Sequence, residues 1–323
     1  MGMPLRELKF MDIYIRLDQP GEPRYRPLAR DMSNLWTRPL PEEFHGDCLA
    51  LTQTLAHSNL EKADMAFAYD GMRFRVSHQM TSKGERWAIL RRIKENIPTM
   101  ESLSFAEHIT TYLRQLGRRD GLIILSGATG HGKTTTCFSL LKDYLTRLGG
   151  VAITVEDPVE YALEGPCGDN GYCYQVQVDN EDWATPLKLA LRWTPRFMMV
   201  GEVRSPRAAE QILRAATTGH LVLTTIHAGS IEESLMGLMH LAEQSMGRGA
   251  EAMLAAGLTG ALHQTLGPSG PFLRYVITEE ANNGDPVRNL IREQKVGMIN
   301  TYIDMQIARL NTMASRKNQS PHG

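Results

Sequence analysis

One eight-residue stretch constrains this chain more than anything else in it: Gly127-Ala128-Thr129-Gly130-His131-Gly132-Lys133-Thr134 satisfies G-x-x-x-x-G-K-[ST] at every required position. A short apolar run, residues 122–125, stands before it and a segment of helical periodicity follows. Strand, glycine-rich turn and helix in that order make a phosphate-binding loop. The glycines let the backbone curl until successive N–H groups face one anion, and the following helix adds the positive end of its dipole. Residues Gly127, Ala128, Thr129, Gly130, His131, Gly132, Lys133, Thr134 and the adjoining Thr135 are the predicted nucleotide contacts, with Lys133 reaching the β/γ-phosphates and the Thr134 hydroxyl facing Mg²⁺.

Such a loop belongs in an α/β domain. Residues 151–155, 197–200 and 221–224 are further apolar, strand-like runs, separated by stretches long enough for crossover helices, which predicts a mostly parallel sheet covered on both faces. At 323 residues the chain exceeds the usual size of one hydrophobic core. The N-terminal third reads as a smaller α+β domain. There Met72, Phe74 and Val76 alternate with Arg73, Arg75 and Ser77, and Asp70-Gly71 marks a tight hairpin with residues 66–69. Residues 9–17 and 86–93 read as strands and 42–57 as a helix. Pro98 interrupts the pattern, after which Ser104-Phe105-Ala106-Glu107 predicts a capping box opening a helix that ends at Gly117. The expected domains are therefore residues 1–98 and 99–310, with helices at 286–294 and 298–310 and a polar, frayed tail at 311–323.

A phosphate loop hydrolyses nothing by itself; metal and water need carboxylates at the carboxyl ends of neighbouring strands. Phe197-Met198-Met199-Val200-Gly201-Glu202 is an apolar run closed by an acid, and an acid there is costly without a counter-charge, which makes Glu202 a candidate Mg²⁺ ligand. Glu156-Asp157-Pro158-Val159-Glu160 follows the second strand-like run, and although acids in turns are ordinary, at least one is expected to serve the site. Asp157 is the second candidate for the metal. His220 and His227 bracket the run 221–225 and should stand at its opposite ends; either could sense a γ-phosphate, and neither has the partners of a metal ligand.

Bulk properties exclude other classes. Lys+Arg 35 against Asp+Glu 36 leaves a net charge of -1, without the basic excess of a nucleic-acid binder. No apolar stretch approaches the roughly 20 residues that span a bilayer, and charged residues at Arg6, Glu7 and Lys9 break any signal core, so a cytoplasmic protein is expected. Cys48, Cys137, Cys167 and Cys173 are irregularly spaced, which suits a reducing compartment better than a metal site.

Taken together, these residues resemble the secretion and type IV pilus ATPases, with the PilT-like retraction motors and DotB-like secretion and conjugation ATPases nearest in pattern. The phosphate loop, Glu156-Asp157-Pro158-Val159-Glu160-Tyr161, Gly201-Glu202-Val203-Arg204, and Thr218-Gly219-His220 through Thr225-Ile226-His227 are similar to that family's four boxes in order and spacing. Phe74-Arg75-Val76 and Thr99-Met100-Glu101-Ser102-Leu103 extend the likeness over nearly the whole chain. The resemblance implies a PAS-like N-terminal domain before a RecA-like ATPase domain, a homohexamer, ATP with Mg²⁺ as cofactors, and attachment to the inner membrane through a platform protein of a pilus or secretion system, with no direct nucleic acid partner. It assigns Glu160 as the catalytic glutamate, Glu202 as the second acid and His220 and His227 as the histidine box. Arg91 would be the N-terminal arginine that reaches phosphate, ahead of Arg86 and Lys83. Two departures stand out: His131 replaces the usual Ser, and Ser205 the usual Asp, although Ser205-Pro206 still starts a helix. Residues 165–179 fit no family pattern. Residues 285–293, Asp-Pro-Val-Arg-Asn-Leu-Ile-Arg-Glu, resemble a C-terminal element of PilT-like motors, against the plainer reading of an amphipathic helix with exposed arginines, and tilt the expectation toward pilus retraction over assembly, with type IVB secretion or conjugation as the alternative.

Overall fold

The computed structural model describes all residues except 1, 20, 29–35, 59, 61–63, 179–180, 269, 280–283 and 320–323, and the backbone alone at 314–319. Two compact units divide the chain, Met1–Glu95 and Asn96–Gly323.

The first unit is a six-stranded antiparallel sheet with one α-helix among its described residues. Strands β1 (Phe10–Arg16), β2 (Arg24–Pro27), β3 (Arg38–Pro39), β4 (Asp64–Tyr69), β5 (Met72–Met80) and β6 (Arg86–Arg92) lie in the order β3-β2-β1-β6-β5-β4. The alternation predicted for β5 holds: Met72, Phe74 and Val76 are buried while Arg73 and Arg75 are partly exposed. Asp70 and Gly71 both take positive φ, 47° and 75°, as the tight turn between β4 and β5 requires. Helix α1 (His45–Ala56) packs Cys48, Leu51 and Leu55 into the cluster formed by Phe10, Ile13, Phe74 and Leu90.

The second unit is built on an eight-stranded sheet. Its strands are β7 (Gly121–Ser126), β8 (Gly150–Glu156), β9 (Gly165–Cys167), β10 (Gly171–Gln177), β11 (Phe197–Val200), β12 (Leu221–Ile226), β13 (Leu258–Gly267) and β14 (Gly270–Ile277). The order is β14-β13-β7-β12-β11-β8-β10-β9, parallel except for the edge strands β9 and β14. Central strands are buried on both faces, which explains their unbroken apolar runs. Leu122, Ile124, Met198 and Val200 face one core, shared with α4 (Ala184–Ala190), α5 (Pro206–Ala216), α6 (Ile231–Met246), α7 (Ala250–Gly257), α8 (Pro286–Arg292) and the start of α9 (Asn300–Gln319). Ile123, Leu125, Phe197 and Met199 face the other, with α2 (Glu107–Leu116) and α3 (Lys133–Leu148).

Several local expectations need correction. No capping box forms at Ser104: that residue sits at φ 62°, the N-cap is Ala106 without a side-chain cap, and Glu107 lends only its charge to the first turn. By contrast Ser205 does cap α5, accepting from the Ala208 N–H at 3.3 Å. The unplaced segment at 165–179 forms β9 and β10 as far as it is described, Asp179 lying outside, and its two cysteines are buried, free thiols. Helix α9 continues to Gln319, through most of the stretch expected to be a tail; residues 320–323 lie outside the described ones. Arg288 is not the exposed arginine of an amphipathic helix. It is 4% exposed, and its guanidinium donates to the carbonyls of Ala255 and Ala256 at the end of α7 and to Thr278 Oγ1. Those carbonyls have no partner inside their own helix, so Arg288 supplies one. Among the described residues no helix is long and apolar enough to cross a membrane.

Candidate nucleotide site

Parallel pairing lines up the carboxyl ends of β7, β12, β11 and β8, four neighbours in the sheet, and the residues just past those ends form one row. Past β7 the chain turns through Gly127, Gly130 and Gly132 at φ 146°, 82° and 79°, conformations that side chains disfavour. Gly132 then caps α3, whose first turn carries Lys133 and Thr134. A Cβ at Gly127 would stand 2.3 Å from the Gln264 carbonyl oxygen, whereas one at Gly130 would meet only open space. The loop is therefore packed tightly on its sheet side and open on the other. Left-handed glycines, the N-terminus of a sixteen-residue helix, a lysine ammonium and a threonine hydroxyl fit a triphosphate with its Mg²⁺.

Lys133 is 6% exposed, and its ammonium donates to the carbonyls of Gly127 at 2.7 Å and Ala128 at 3.0 Å. Burial lowers its pKa, while the charges of Glu202, Cys137 and Glu160 oppose that shift. A cation held in this way is drawn toward further negative charge. His227, one residue past β12, has Nδ1 3.3 Å from the Lys133 Nζ and 3.4 Å from Thr129 Oγ1. Because the ammonium can only donate, Nδ1 accepts and the ring proton belongs on Nε2, which lies 3.5 Å from Glu202 Oε1.

Glu202, past β11, receives the Arg204 Nε and Nη2 on Oε2 at 2.8 and 2.7 Å. The hydrogen bond that Arg204 donates to Glu202 raises the Arg204 pKa, and the charges of Glu202 and Asp157 add to it, which puts Asp157 within electrostatic reach of the same corner. The Thr225 hydroxyl donates to the Gly201 carbonyl at 2.6 Å and holds the turn that presents Glu202. Glu156 ends β8 and is only 2% exposed; burial pushes its carboxyl up to about 7. Glu160, four residues on, is exposed. Among the described residues no group of three or more His, Cys, Asp or Glu side chains gathers around one metal position. A Mg²⁺ held by one hydroxyl, one or two acids and substrate phosphates needs no such cage, and Thr134, Glu202 and Asp157 are the side chains available for it.

One expected member stands apart. His220 precedes β12, level with Asp120, at the amino ends of the parallel strands and so opposite the loop, and its Nδ1 is 2.6 Å from the Pro195 carbonyl. The histidines do bracket the strand, and only His227 joins Lys133. Arg91 belongs to the N-terminal unit, where its Nε donates to the buried Asp12 Oδ1 at 2.8 Å and Asp12 raises its pKa.

One residue the sequence reading passed over is Gln264. It lies on β13, whose pairing with β7 matches His263 to Ser126 and so brings Gln264 level with Gly127. Its side chain is 2% exposed and closes the loop from below: Nε2 donates to the His131 carbonyl at 2.6 Å and Oε1 accepts from Thr136 Oγ1 at 2.9 Å. His131 places Nδ1 3.3 Å from the Gln264 carbonyl oxygen, a further contact between the loop and β13. Gln264→Leu should lose both side-chain bonds and weaken triphosphate binding about tenfold, measured by titration with a fluorescent ATP analogue. Unchanged affinity in a folded variant would contradict this.

Comparison with known proteins agrees with the geometry. The family model described as type II/IV secretion system protein matches residues 61–282. The chain is 33% identical over 249 residues to the type IV pilus retractation ATPase PilT of Pseudomonas aeruginosa, covering 75% of this chain and 69% of that protein. It is 36% identical over 171 residues to the type IV pilus ATPase PilU of the same organism, 52% of this chain but only 43% of the relative's length. Among solved structures, the pilus retraction motor PilT with bound ADP superposes with a TM-score of 0.69 at 28% identity, over 93% of this chain and 87% of that one. The Legionella pneumophila ATPase DotB shares the fold, with a TM-score of 0.66 at 21% identity over 94% and 89% of the two chains. With its phosphate loop, acids and histidine standing in one row, the chain belongs to the type II/IV secretion system protein family and is of the PilT-like type.

Proposed function

We propose that this chain is a Mg²⁺-dependent ATPase that works as a homohexameric motor of type IV pilus retraction, docked at the inner membrane through a platform protein. The observation that carries the chemical half of this reading is the contact series Lys133, His227, Glu202 at the mouth of a glycine-rich loop. Bound ATP with Mg²⁺ would supply the labile phosphoanhydride and the Lewis acid. The loop amides and the start of α3 bind phosphate, Lys133 offsets charge on the β/γ oxygens, and Thr134 with Glu202 would hold the metal, Asp157 being the further acid within reach. Glu160, exposed on the neighbouring loop, is the carboxylate suited to orient water and take its proton. His227 reports the state of that corner, since one ring nitrogen faces the lysine and the other the acid. The pilus assignment is supported by the retraction ATPase PilT of Pseudomonas aeruginosa and by the structure of the pilus retraction motor PilT, both of which the chain matches over most of its length. DotB-like secretion or conjugation is the second reading, with less support because that likeness is one of fold.

The purified chain should release phosphate from ATP with Mg²⁺, stop when EDTA removes the metal and resume when Mg²⁺ is restored. Its mass in solution should be about six times that of the 36.1 kDa protomer. Turnover that rises many-fold with single-stranded DNA in a salt-dependent manner would favour a nucleic-acid motor instead.

A further inference from the structure

The strands β9 and β10, at the end of the sheet past β8, have had no part in the chemistry so far. They are nonetheless built firmly into the domain: Cys173 is fully buried, and a Cβ on Gly171 would stand 2.5 Å from the Leu145 carbonyl of α3. Parallel pairing sets Gln175 of β10 against Thr154 of β8, two residues before Glu156. From there the Gln175 amide reaches the loop that carries Glu160. Its Nε2 donates to Glu156 Oε1 at 3.0 Å and to the Tyr161 carbonyl at 2.8 Å. Its Oε1 accepts from the backbone N–H groups of Leu163 at 2.8 Å and Glu164 at 2.9 Å. Two donors and two acceptor sites are all that a glutamine side chain has, and these four contacts use them. Glu156 completes the set: its Oε2 accepts the Glu160 backbone N–H at 3.2 Å, and its Oε1 also accepts from Thr154 Oγ1 at 2.6 Å. On the other side the Tyr161 hydroxyl meets Thr135 Oγ1 at 2.8 Å, one residue past Thr134.

The loop is thus held at the backbone of Glu160, Tyr161, Leu163 and Glu164 by two side chains. We propose that Gln175 is a positioning residue for hydrolysis: paired with Glu156, it sets the place of the Glu160 carboxylate relative to the phosphate loop. This rests on the reading of Glu160 as the carboxylate that orients water. The residue type follows from the contacts. Glutamate at 175 would set a second carboxylate against Glu156, and leucine would leave two backbone N–H groups and a carbonyl without their partner. These four bonds of Gln175 end on Glu156 and on the acidic loop that carries Glu160, so they bear on turnover more than on nucleotide binding.

The test compares three full-length variants with the wild type, Gln175→Leu, Gln175→Glu and the exchanged pair Glu156→Gln/Gln175→Glu, by steady-state kcat, Kd for a fluorescent ATP analogue and thermal melting. In Gln175→Leu we expect kcat to fall on the order of a hundredfold, the cost of a misplaced reacting group, with Kd unchanged. The exchanged pair returns a donor opposite an acceptor and should recover turnover lost in Gln175→Glu. An unchanged kcat in folded Gln175→Leu overturns the inference, and so does a joint fall of kcat and affinity, which would make Gln175 a general prop; in both cases the ATPase reading stands. If Gln175→Leu does not fold, the exchanged pair decides: recovery supports the inference and none overturns it. A wild-type chain that binds the analogue but releases no phosphate removes the reading beneath, and the inference with it.

Discussion

Lys133→Ala is expected to lose ATP turnover by at least about two to three orders of magnitude while keeping its fold. The ammonium is the cation positioned inside the glycine-rich turn, held by the Gly127 and Ala128 carbonyls and facing His227. Alanine removes that charge from beside the phosphates and leaves the partial negative charge of two carbonyl oxygens there instead. The fold should survive, because burial already works against the lysine's charge, as its lowered pKa shows. Phosphate release and a thermal melt measure the two halves separately. Wild-type turnover in this variant would falsify the assignment of the loop as the nucleotide site.

The second large effect is expected from Glu160→Gln. Glutamine keeps the shape of the side chain but cannot take a proton from water, so turnover should fall by roughly 10²–10⁴-fold while the nucleotide remains bound. The side chain is exposed, and the bond from its backbone N–H to Glu156 is left in place by the substitution. Binding and hydrolysis should separate in a filter or fluorescence assay, with unhydrolysed ATP recovered from the protein. A wild-type rate no higher than that of the variant would instead describe a nucleotide-regulated scaffold.

Much of this molecule was legible because its signals are local. Residues 122–125, 151–155, 197–200 and 221–224 fall within β7, β8, β11 and β12, since strands buried on both faces read as apolar runs. The phosphate loop and Glu202 were legible for the same reason, each standing directly after such a run. What was missed depends on pairing between distant segments. Gln264 is 137 positions from Gly127 by number, 264 less 127, and comes beside it only because β13 inserts next to β7. Gln175 likewise gains its role from the register of β10 on β8. The supposed capping box failed on a single backbone angle: Ser104 has the right side chain in the wrong conformation, and the helix starts beyond its reach. His220 and His227 look equivalent along the chain, and strand direction separates them.

The grip of Arg288 on the end of α7 has a mechanical side. Ala255 and Ala256, which its guanidinium holds, run after Gly257 straight into β13, and eight positions past Ala256 the same chain reaches Gln264 under the phosphate loop. At roughly 3.3 Å per residue that span is a short lever, and it is stiffened by neighbours on both sides, β7 and β14. Force applied to α8 therefore enters the domain at one end of a braced rod whose far end bears on the nucleotide cradle.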